Sequence, residues 1–144
     1  MKRRKPLKRS VKPIARRTRP RKQRKATRAA LGRQADKLWS QVVRLAGQCD
    51  CCGRSGGGVV LQGAHGFSRR YRGTRWNLLN GFCLCSGCHV RFTHDPIGWD
   101  NFLRVGWGAP VYREMRRLAL RSSGDLDMPA IVAKLQAELE ARTR

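Results

Sequence analysis

All six cysteines and all three histidines of this 144-residue chain lie between residues 49 and 94. Cysteine, histidine and their spacing decide whether such a region binds metal, forms disulfides or moves protons. Cys49, Cys51, Cys52, Cys83, Cys85 and Cys88 form two clusters, each with a C-x-x-C pair: "CDCC" at 49–52 and "CSGC" at 85–88. Two such pairs supply four thiolates to one tetrahedral Zn²⁺, because the tight turn of each presents both sulfurs to the same ion. Gly53, just after the first pair, suits that turn. An even cysteine count also permits disulfides, but the paired spacing and a reducing compartment oppose them. Cys51 and Cys83 are left over and read as small buried hydrophobes. Exchange of Cys51 for Cys49 as a ligand stays open, although adjacent Cys51 and Cys52 do not easily face one ion.

The histidines are His65, His89 and His94. Imidazole titrates near neutral pH, which suits a general base or a metal ligand. The blander reading of each is a satisfied structural side chain. His89 directly follows Cys88, so an ion held by the cysteines fixes where that imidazole points. Between His65 and the second cysteine pair runs "GFSRRYRGTR", with Arg69, Arg70, Arg72 and Arg75 around Tyr71. Phosphate clamping is the preferred reading of these arginines, against a merely solvated basic loop.

Charge points the same way. The chain carries 32 Lys+Arg against 9 Asp+Glu, a net charge of +23. Residues 1–28 hold 15 of those cations and no acid, leaving 17 − 9 = +8 for the remainder. A polyanionic partner is expected, since Lys and Arg displace counterions condensed on nucleic acid. No base-reading helix stands out, so the expected contacts with DNA are to phosphates and not sequence-specific. A membrane partner is disfavoured, because the basic segment lacks an apolar face and no stretch has the length of a membrane span. The N-terminal charge is not followed by a hydrophobic segment of the secretory kind, so a cytoplasmic location is expected.

Elements must position these side chains. Residues 1–28, interrupted by Pro6, Pro13 and Pro20, read as a flexible basic arm. Residues 29–144 then form one domain of the α+β class with little strand. Leu31, Ala35, Leu38, Trp39, Val42 and Leu45 recur at helical spacing and predict an amphipathic helix ending near Gly47. "VVLQGAH" reads as a short strand leading to His65, and "WNLLNGFCLC" as an irregular hairpin-like stretch. A helix is expected from near Cys88. Asp95 and Pro96 cap the next, and Pro110 opens a further one. Asp127 caps the last, with Ile131, Leu135 and Leu139 in a stripe and Lys134 facing Glu138. Trp76 and Trp99 read as core. So small a domain benefits from a metal staple. No coiled-coil seam predicts a dimer, and the last helix is expected to dock on its own domain.

Taken together, Cys49/Cys52, "GAH" with His65, Asn80, and "CSGCH" with Cys85, Cys88 and His89 resemble the zinc-bearing branch of the HNH endonucleases. These are also called ββα-metal or His-Me finger nucleases. The likeness covers roughly residues 49–105 and extends to the aspartate-proline step at Asp95–Pro96. It implies a ββα-metal core stapled by a four-cysteine zinc site, followed by C-terminal helices over 110–143. It further implies a metal-dependent nuclease in which His65 is the general base and Asn80 braces the loop that orients it. His89 would bind a catalytic divalent cation, Mg²⁺, Mn²⁺, Ni²⁺ or Zn²⁺. The family commonly places Asp or His just before the base as a second ligand, and this chain has Ala64 there. His94 is the candidate substitute, although five residues beyond His89 it points well away on a regular helix; Asp95 is another. Small, strongly basic phage and prophage members make branched DNA or phage DNA reasonable substrates. The alternative is a non-catalytic zinc-binding module for nucleic acid; a ribosome-associated structural protein is a third reading.

Overall fold

The computed structural model describes residues 27–121 and 124–144. The basic arm expected over 1–28 lies outside these, except for its last two residues. Those belong to the first helix instead: Thr27 Oγ1 accepts from Ala30 N at 3.2 Å and caps α1, Arg28–Arg44. A threonine ahead of an unbroken amphipathic run is a strong start signal, and it outweighs the charge run.

The elements continue with β1 (Leu61–His65), a 3₁₀ turn (Leu78–Asn80) and β2 (Gly81–Cys85). They are followed by α2 (Ser86–His94), α3 (Pro96–Leu120) and α4 (Met128–Thr143). β1 and β2 form a two-stranded antiparallel sheet in which Leu61 pairs with Cys85 and His65 with Gly81. The described residues are therefore α+β, as the pattern predicts, and their helices number four because the two expected from Pro96 and from Pro110 run together across a break. β1 is shorter than "VVLQGAH" because Gly56 and Gly58 adopt positive φ and Val59 N closes a turn on Gly56 O. α2 starts at Ser86, earlier than expected, since Cys85 Sγ caps it by accepting from Cys88 N at 3.5 Å.

Asp95 caps α3 through Gly98 N at 2.8 Å, and Asp127 caps α4 through Ala130 N at 3.0 Å. α3 is broken at Gly108, whose φ of 70° and ψ of 164° are not helical. Pro110 lies just beyond the break, which agrees with a separate helix starting there. In α4, Glu138 pairs with Arg142 at 3.2 Å, not with Lys134.

Two apolar clusters hold these elements together. One joins Cys49, Ala64, Phe82, Leu84, Phe92, Leu103 and Tyr112 around the hairpin, α2 and α3. Phe82 sits at its centre, with ring centroids of Trp99, Phe102 and Trp107 at 5.5, 5.4 and 5.4 Å. The other packs Ala35, Leu38 and Trp39 of α1 against Met128, Val132 and Leu135 of α4. Trp76 and Trp99 are both part of this interior packing, as expected. No helix among the described residues is long and apolar enough to cross a membrane.

Candidate metal centre and active-site cleft

The two cysteine pairs meet. One sulfur from each of Cys49, Cys52, Cys85 and Cys88 lies within 4.8 Å of the others, and all six cysteines are free thiols. Cys52 Sγ and Cys85 Sγ are 3.7 Å apart. A tetrahedral ion with bonds of about 2.3 Å sets its sulfurs roughly 3.8 Å apart, so the cluster can hold a metal ion. The local backbone is built for it: Gly53 takes φ 71° after the first pair, and its N–H donates to Cys49 O at 2.8 Å. The first pair is tied to β2 by Asp50, which accepts from Cys83 N and donates to Cys83 O, both at 2.7 Å.

Electrostatics separate ligands from bystanders. Burial opposes ionisation of Cys49, but backbone N–H groups of Cys85, Cys52 and Cys51 outweigh it and hold the thiol down at about 6. Cys88 is pushed the other way by burial and by the neighbouring sulfurs. Four thiols at this distance compete for negative charge, and a central cation ends the competition. Cys83 is buried, its thiol raised by burial and by Asp50, and stands outside the cluster, as packing predicts. Cys51 also stands outside and takes Arg91 Nη2 at 3.0 Å.

His65 ends β1 and pairs with Gly81. Its Nε2 is 3.0 Å from Arg75 O. A carbonyl only accepts, so Nε2 carries the proton and Nδ1 keeps its lone pair. The imidazole stacks on Trp39 with centroids 3.8 Å apart and 10° between planes. Burial, then the charges of Arg75 and Arg69, lower its pKa below the ordinary 6.5, against the Arg75 carbonyl and Asp36. The ring is therefore held neutral near physiological pH.

Asn80 is fully buried, and its side chain hydrogen-bonds to the loop and not to His65. Its Oδ1 accepts from Phe67 N at 2.7 Å, while its Nδ2 donates to Phe67 O at 2.9 Å and Thr74 O at 3.1 Å. It ties down both ends of the loop between His65 and Arg75, and with it the carbonyl that orients the imidazole. Gly66 is required there: a Cβ would lie 2.6 Å from Trp107 and 3.1 Å from Asn80 Oδ1.

His89 lies on α2 with Nδ1 2.5 Å from Gln62 Oε1. The amide oxygen accepts, so Nδ1 bears the proton and Nε2 remains free to coordinate. His65, His89 and Arg69 line one cleft of about 330 Å³ with Asp36, Trp39, Ser40, Gly63 and Ala64. This brings together a neutral imidazole able to take a proton, a second able to bind a cation, and a guanidinium able to bind an anion.

Three other expected residues are placed differently. His94, exposed at the end of α2, does not line the cleft, as its five-residue offset from His89 requires. Asp95 is engaged as the α3 cap. Arg75 donates twice to Asp36, at 2.9 and 2.6 Å, so its guanidinium is committed within the protein. Of the other arginines, Arg69 and Arg72 are exposed, and Arg70 lies on Tyr71, bonding its hydroxyl at 3.0 Å. The buried Ala64 leaves the cleft without a carboxylate or imidazole at that position.

Sequence reasoning missed Gln62, Trp39 and Asp36. Gln62 had one visible signal, a polar residue two before Ala64 in a strand that otherwise reads as buried. Trp39 and Asp36, three apart on α1, were legible only as helix residues. No protein-family model, no curated protein and no solved structure matches the chain.

Proposed function

We propose that the protein is a metal-dependent endonuclease of the HNH type, which hydrolyses DNA phosphodiester bonds in the cleft between His65 and His89. The observation that carries this reading is the pair of opposed tautomers. His65 offers Nδ1 to a proton, His89 offers Nε2 to a cation, and both face one cleft from the β1–β2–α2 unit. The four-cysteine cluster is read as a structural zinc site on its all-sulfur donor set, with all four sulfurs within 4.8 Å of one another and those of Cys52 and Cys85 3.7 Å apart.

His65 accepts the proton of a water molecule at Nδ1 as the water oxygen attacks phosphorus. The bond from phosphorus to the 3′ oxygen breaks, and that oxygen takes a proton from solvent. Trp39 and the Arg75 carbonyl keep the imidazole in one plane and one tautomer throughout. Arg69 contributes charge to the phosphate. His89 would hold the divalent cation, which would supply charge stabilisation at the phosphate.

Gln62 makes one prediction of this reading. Gln62→Ala frees the His89 ring, and the metal concentration for half-maximal nicking is expected to rise about 10- to 100-fold. Titration of Mn²⁺ or Ni²⁺ in a plasmid assay measures it; an unchanged midpoint removes the Gln62–His89 bond from the mechanism.

Ala64 favours a second reading, a zinc-stapled module that binds nucleic acid without cutting it. Supercoiled plasmid incubated with Mg²⁺, Mn²⁺ or Ni²⁺ separates the two. The nuclease converts it to nicked circles, and His65→Ala binds but does not nick. If wild type and variant leave the plasmid equally intact while both bind, the module reading replaces the nuclease.

A further inference from the structure

The His65 cleft is not closed at its α1 side. It shares Asp36 with a second groove of about 480 Å³, lined by Arg28, Arg33, Arg72 and Arg75 with Trp76. Arg33 and Arg72 are exposed and form no ion pair among the described residues. The Arg28 guanidinium contacts the highly exposed Asp125 at 2.8 Å, a pairing that gives way readily to a better anion. Asp36, the carboxylate that stands where the two grooves meet, is neutralised by Arg75 and bonded by Trp76 Nε1 at 2.8 Å. The outer groove also lies where the chain enters α1, and residues 1–26 bring 14 further Lys/Arg without an acid.

We propose that a nucleic-acid strand reaches the His65 cleft along this outer groove. Arg28, Arg33 and Arg72 take successive phosphates, and Arg69 receives the one to be cut. The proposal rests on the nuclease reading for what happens in the cleft, but not for the binding itself. A small phosphate compound would be met by cations converging on one point. Here they are strung along two joined grooves, as a polyanion requires.

The test compares two charge reversals of equal size in the full chain. Arg33→Glu/Arg72→Glu removes the track, whereas Arg113→Glu/Arg116→Glu changes exposed residues of α3 that line neither groove. Anisotropy of a labelled 20-base single strand and of its duplex reads the affinity at fixed salt. The track pair is expected to weaken binding about tenfold more than the α3 pair, with a shallower salt dependence. Arg33→Gln/Arg72→Gln repeats the measurement should the reversal disturb folding. Equal losses from the two pairs overturn the track, because they mean that overall charge governs binding. Plasmid nicking by the wild type, followed alongside, keeps the two readings apart. Track-dependent binding without nicking sinks the nuclease alone; nicking with indistinguishable pairs sinks the track alone.

Discussion

Removing the ion from the four-cysteine centre is expected to unfold the domain instead of loosening it. Cys49 belongs to the same apolar cluster as Phe82, Leu84 and Phe92, and Cys85 both ends β2 and caps α2. An ion bound there would make hairpin and helix one cooperative unit. A structural zinc contributes on the order of 10–16 kcal/mol at neutral pH, as much as the whole stability of an ordinary domain. Cys88→Ser, or a strong chelator, should abolish the thermal transition followed by circular dichroism and bring the zinc proposed for this centre from an expected one per chain to near zero. Cys83→Ser is the internal control, since that sulfur stands outside the cluster; it should keep its metal. A chelated protein that melts like the untreated one would remove the centre from the account of stability.

The second large effect is catalytic. His65→Ala is expected to cut single-turnover nicking by about 10²- to 10⁴-fold, the usual contribution of a positioned base. Affinity for DNA should change little, because the imidazole is held neutral and brings no charge to the cleft. The pH profile supplies an independent check. The active form is the neutral ring, and burial holds its pKa below 6.5. The rate should therefore fall as pH drops, with the midpoint of that acid limb below 6.5. An acid limb centred above 6.5, or a wild-type profile retained by the variant, assigns the base to another group.

Local chemistry was legible in the sequence, and tertiary partnership was not. The C-x-x-C pairs, Gly53, and the caps at Asp95 and Asp127 announce themselves because each is satisfied within a few residues. So does the break before Pro110, which the structure places at Gly108. The Trp39–His65 stack joins α1 to the end of β1, and no periodicity encodes it. Arg75 shows the cost of that blindness. In the sequence it is one of four equivalent loop arginines; in the fold its guanidinium belongs to Asp36, 39 residues upstream, and its carbonyl orients His65. Asn80 was read as a brace and acts on the loop alone, at one remove from the imidazole.

Trp39 faces two ways, and this ties the chemistry to the order of synthesis. Its indole stacks on His65, while the same side chain belongs to the apolar cluster that includes Met128, Val132 and Leu135 of α4. A growing chain would thus contain His65, His89 and the four clustered cysteines well before the α1–α4 packing around Trp39 could form. The base would become rigid only after α4 had emerged and docked. A chain ending at residue 126 is accordingly expected to bind zinc and DNA yet nick weakly. Supplying 127–144 as a separate peptide should restore part of the rate, and full activity of the shortened chain would show that the indole needs no such support.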